Sequence, residues 1–70
     1  MKKDQQEIVT FLRSARSSYI SVELGVIRVC AGRDERLISR DTLRAMIQAG
    51  ALVSASGAIG IWELSPELRG

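Results

Sequence analysis

ISRDTLRAMIQAG (residues 38–50), running straight on into ALVSAS (51–56), GA (57–58) and IGIWEL (59–64), is the stretch that decides how this 70-residue chain folds. Leu43, Met46 and Ile47 recur at helical spacing and form an inward apolar stripe, which leaves Arg40, Asp41, Arg44 and Gln48 outside it. Ser39 predicts an N-cap, its side-chain oxygen taking a backbone N–H that the first helical turn leaves unpaired. Ile38 and Leu43 hold the N′ and N4 positions, where a hydrophobic staple fixes the approach of the chain. Gly50 is the expected stop, since the residue past a helix end often turns left-handed at least cost to glycine. A helix over 40–49 follows.

Beyond that helix, Leu52 and Val53 open a strand, Ser54 to Ala58 with Gly57 supply a turn, and Ile59 to Leu64 return antiparallel. Alternation in the return strand sends Trp62 and Leu64 inward, because a lone Trp beside Leu anchors a small core through its large area. Ile59 and Ile61 then point out, and two outward isoleucines in so small a protein call for a covering surface. Ser65-Pro66-Glu67-Leu68 reads as an N-cap, a proline at N1 and a short terminal turn.

Working back toward the N-terminus, Ile8, Phe11, Leu12 and Ala15 fall at i, i+3, i+4 and i+7, the pattern of an amphipathic helix from Asp4 to about Ala15. Asp4 with Glu7 resembles a capping box, and Arg13 and Arg16 suit the negative end of the helix dipole. Gln5, Gln6, Thr10 and Arg13 make up its solvated face. Tyr19 to Cys30 is rich in β-branched and apolar residues and reads as strand. Ile20, Val22 and Leu24 share one face there; after Gly25, Ile27 and Val29 alternate with Val26, Arg28 and Cys30. Gly25 either closes a hairpin or marks a bulge ahead of a turn at 31–35, in which case 36–38 would pair back onto 27–30. Strands on both sides of Gly25 with a loop at 31–36 is the preferred arrangement.

Seventy residues bury only about 60% of their unfolded surface, so the expectation is one domain over 1–70 on a small core or a core shared with a partner. With 46% hydrophobic residues and mean hydropathy near zero, the composition is that of a folded unit. Ten Lys and Arg against eight Asp and Glu leave +2, a mild excess compatible with nucleic acid without demanding it. No His removes the usual general base and the commonest zinc ligand. The single Cys30 excludes an internal disulfide, is expected as a small buried hydrophobe, and makes a reducing cytoplasm the default compartment. Glu7, Thr10 and Arg13 interrupt the apolar run that a signal peptide or a membrane span needs, so no membrane is expected. Neither a metal nor a cofactor is expected, nor an enzyme: no nucleophile stands beside a base, and Asp34-Glu35 between Arg33 and Arg36 reads as a solvated loop.

Residues 38–69, in the run S-R-D-T-L-R-A-M-I-Q-A-G-A-L-V and the ending W-E-L-S-P-E-L, resemble the second half of a winged helix-turn-helix domain. The resemblance implies a small α+β, winged-helix-like domain in the order helix, β-strands, helix, β-hairpin wing. It makes 40–49 the recognition helix and 52–64 the wing. This sequence departs from the family in two places: strand pattern stands where a helix would precede the recognition helix, and the turn at 54–58 has no Lys or Arg to meet a phosphate.

Arg40, Arg44 and Gln48 lie one turn apart on an outward stripe. Two arginines at i and i+4 repel by a few tenths of a kcal/mol unless an anion lies between them. Guanine O6 and N7 suit Arg, and adenine suits Gln, so one expectation is a DNA-binding transcriptional regulator whose contact set is Arg40, Arg44, Gln48, Ser39 and Thr42. Alternatively Asp41 balances the two arginines on an ordinary solvated surface. A homodimer on double-stranded DNA is the expected form, because one helix contacts too few phosphates and bases. The competing expectation is a protein-binding module, a small inhibitor or adaptor of the kind mobile elements encode, docking a larger protein through Tyr19, Ile59 and Ile61.

Overall fold

The computed structural model describes residues 2–69. The chain runs α1 (Lys3–Arg13), β1 (Ser18–Glu23), β2 (Val26–Ala31), β3 (Asp34–Leu37), α2 (Arg40–Gln48), β4 (Leu52–Ser54), β5 (Ile61–Leu64) and α3 (Pro66–Arg69). It is an α+β fold built on one five-stranded antiparallel sheet in the order β3-β2-β1-β5-β4.

β1 is the central strand, and both of its neighbours are explained by side-chain alternation. Ile20 lies opposite Val29 on one side and Trp62 on the other, so these three share a face. Ile20, Val29 and Leu64 are buried there, together with Ile27, Leu52, and Ile8, Val9 and Leu12 of α1 and Leu43 and Met46 of α2. Phe11, Ile38, Ile47 and Trp62 pack at the rim of this core. The inward assignments of Leu43, Met46, Ile47, Trp62 and Leu64 thus agree with the fold.

The opposite face of the sheet has a different composition. Tyr19 pairs with Cys30, and Cys30 with Glu35, across three strands. Tyr19, Val26 and Val53 are exposed there, and Arg28 Nε approaches Glu35 Oε1 at 3.6 Å. An antiparallel sheet tolerates one solvated face in this way.

Several expectations are corrected. α1 begins at Lys3 with Lys2 as N-cap, and no side chain caps it, so Asp4 and Glu7 form no capping box. The helix ends at Arg13 rather than Ala15. Gln5, placed on the solvated face, is buried, as is Val9. The segment expected as a loop at 31–36 contains a two-residue turn, Gly32-Arg33, and then β3, with Cys30↔Glu35 and Val29↔Arg36 in register. Both turns weighed for this region therefore exist. β3 realises the alternative in which 36–38 pairs back onto 27–30, extended back to Asp34; its exposed residues, Asp34-Glu35-Arg36-Leu37, show no buried face to mark a strand, and as an edge strand it needs none, while charges suit an edge. Cys30 is half-buried on the outer face beside Tyr19 instead of in the core.

Leu24, assigned to the face of Ile20, is instead 97% exposed in the β1–β2 turn, with φ +52 beside Gly25 at +77. The return strand starts at Ile61, not Ile59. The chain from 55 to 60 is a loop whose tip exposes Ile59 completely, at 104%. Gly60 makes this possible: its φ is +78, its carbonyl accepts from Val22 N–H at 2.8 Å, and a Cβ there would stand 3.1 Å from Val22 O.

The hairpin also differs from a free wing. Ile20↔Trp62 and Ser21↔Ile61 stitch β5 into the main sheet, and three strands occupy the place of the helix that would precede α2.

Candidate nucleic-acid interface

α2 is set by its ends. Ser39 has an extended backbone, and its Oγ accepts from Thr42 N–H at 3.1 Å. At the other end Ala51 N–H donates to Met46 O at 2.9 Å, and Gly50 takes φ +76. Cap and stop stand where the sequence places them. The Ser39 and Thr42 hydroxyls also bond each other at 2.9 Å, so both are engaged in the cap itself.

With Leu43 and Met46 buried and Ile47 packed against the core, the stripe of Arg40, Arg44 and Gln48 is exposed. It borders a shallow depression of about 370 Å³ lined by Arg40, Leu43, Arg44, Ile47 and Gln48. Among the described residues the ion pair is Arg28–Glu35, and Asp41 makes none with Arg40 or Arg44. The neutralising role considered for Asp41 is therefore not realised as a contact.

The other expected set separates. Tyr19 and Ile61 come together on the outer sheet face, where with Val53, Glu63, Arg16 and Arg69 they line an open depression of about 440 Å³. Hydrogen bonding to Cys30, followed by the charge of that thiol when ionised, pushes the Tyr19 phenol above its ordinary value. Ile59 does not join them. Antiparallel pairing places the 55–60 loop beside the Leu24-Gly25 turn at one end of the sheet, and the Gly32-Arg33 turn at the opposite end.

One basic cluster escaped sequence reading. Arg13 and Arg16 follow each other around the end of α1, and the fold brings Arg69 to them across more than fifty residues. Arg69 donates to Arg16 O at 3.3 Å, to Ala15 O at 3.5 Å and to Ser18 Oγ. Only tertiary structure carries that signal. At the rim of the core, the Arg36 guanidinium lies 4.6 Å over the Phe11 ring, a cation–π contact between β3 and α1.

Among the described residues no group of three or more His, Cys, Asp and Glu could hold a metal ion. No helix among them is long and apolar enough to cross a membrane. No family model, curated protein or solved structure matches this chain.

Proposed function

We propose that this protein is a small double-stranded-DNA-binding regulator that reads the major groove with α2, in a winged-helix-like arrangement whose wing is the β4–β5 hairpin. The observation that carries the reading is the exposed Arg40, Arg44 and Gln48 stripe on a capped helix, with no carboxylate among the described residues paired to either arginine. Arg can clasp guanine O6 and N7 with two donors, and Gln can clasp adenine N6 and N7. Ser39 and Thr42 hold the N-terminal end of this helix rigid through the cap and, by position, stand with the contact set.

A helix of nine residues reaches few base pairs, so the working unit is a homodimer on two half-sites. The test is an electrophoretic mobility shift with a pooled random duplex at low salt. Wild type is expected to retard the duplex in a salt-sensitive manner, and the Arg40→Ala/Arg44→Ala double variant to lose retention. Equal retention by both would reject α2 as the reader.

The outer sheet face supports a second reading, a module that docks a larger protein. Tyr19, Val53 and Ile61 line an open depression bordered by α3 through Pro66 and Arg69, and the loop carrying Ile59 presents an aliphatic side chain with no Lys or Arg. Pull-down that depends on Tyr19 and is indifferent to Arg40 would favour this reading over DNA binding.

A further inference from the structure

We infer that the arginine cluster at the end of α1, formed by Arg13, Arg16 and Arg69, is a second contact for the phosphate backbone of the duplex engaged by α2. This rests on the DNA-binding reading and supplies what the hairpin loop lacks. The three arginines line a depression of about 420 Å³ together with Ser14 and Ala15, and among the described residues no carboxylate lines it, Glu63 standing in the adjoining outer-face depression that Arg16 and Arg69 also border. Like charges gathered in one hollow repel each other, and an anion entering it relieves that repulsion. Arg69 is already fixed by the Ala15 and Arg16 carbonyls and the Ser18 hydroxyl, so one guanidinium is pre-positioned. Arg13 and Arg16 are exposed and form no ion pair among the described residues.

Placement in the fold favours a polyanion that also touches α2. Both α1 and α2 lie on the core face of the sheet. A Cβ at Gly32 would lie 3.5 Å from that of Ala15, and Ser65 N–H donates to Ala51 O at 2.8 Å, so both helices end toward the Gly32-Arg33 end of the sheet. A phosphodiester strand that follows α2 from Arg40 toward Gln48 therefore runs toward the end of the molecule where the cluster stands. The longest dimension of the protein is 28 Å, less than the roughly 34 Å of one duplex turn, so one turn spans both surfaces.

Arg13 and Arg16 also suit the negative end of the α1 dipole, which alone would account for their presence. Salt dependence separates the two roles, because each neutralised phosphate adds about 0.9 to the slope of log K against log salt. The experiment is fluorescence anisotropy of a labelled random-pool 24-base-pair duplex from 50 to 200 mM salt. It compares wild type, Arg13→Gln/Arg16→Gln and Arg40→Gln/Arg44→Gln, each checked for folding by circular dichroism. The expected result is a slope shallower by about 2 for Arg13→Gln/Arg16→Gln, with weakening that is even across sequences. An unchanged slope and affinity there, beside a loss in Arg40→Gln/Arg44→Gln, would overturn the cluster and leave α2 as the reader. Loss only in Arg13→Gln/Arg16→Gln would keep the cluster and overturn α2. No salt-dependent binding by wild type would overturn both.

Discussion

Leu24 is the residue whose conformation most plainly works against its chemistry. It closes the β1–β2 hairpin with Gly25, and both have positive φ, the pattern of a two-residue type I′ turn that prefers Asn-Gly. A left-handed leucine costs roughly 1–2 kcal/mol, and at 97% exposure its side chain recovers almost nothing by burial. Leu24→Asn should therefore stabilise the fold by about 1 kcal/mol, a rise of about 4–8 °C in Tm by circular dichroism for a domain of this size. The hairpin at Gly25 was legible because β-branched runs flank a glycine. The outward turn of Leu24 was not, because alternation extended by one residue sends any leucine inward. Gln5 shows the converse error, since helical spacing marks the apolar side but cannot say how wide a stripe the packed sheet and α2 will cover.

At the scale of elements, α2 is where sequence and structure agree most closely, because its information is local: a cap three residues from the N–H that donates to it, a stripe within three turns, and a glycine at the stop. Its hold on the sheet runs through Met46, which is completely buried. Met46→Ala should cost about 2–5 kcal/mol through lost transfer energy and the cavity left behind. Small domains are stable by about 0.05–0.15 kcal/mol per residue, so this one substitution approaches the whole stability of the chain. Urea denaturation should show a midpoint displaced far downward, with the Arg40→Ala/Arg44→Ala variant near wild type. β3 and the stitching of β5 to β1 were less legible for a physical reason. Edge strands need no buried alternation, and pairing partners forty or more residues apart leave no mark in either segment.

The whole molecule divides its surface by face and by end. The core side carries α1 and α2 with the α2 stripe, the outer sheet face carries Tyr19, Val53 and Ile61, and the arginine cluster stands between them at the end of α1, where Arg16 and Arg69 also border the outer depression. Ile59 and Leu24 mark the end of the sheet away from the cluster. The candidate site was half legible: Arg40, Arg44 and Gln48 could be placed on one exposed stripe from spacing alone, but the grouping of Arg13, Arg16 and Arg69 depends on where α3 docks. That division makes nuclear magnetic resonance the most direct test of the central claim, since a 70-residue chain gives a fully resolvable amide spectrum and each surface reports separately. Titrating labelled protein with the random-pool duplex at low salt should shift the amides of Arg40, Arg44 and Gln48, with those of Arg13 and Arg16 moving in step, and leave Tyr19, Val53 and Ile61 in place. Shifts confined to Tyr19, Val53 and Ile61, or none at any of these positions, would contradict a duplex-reading α2.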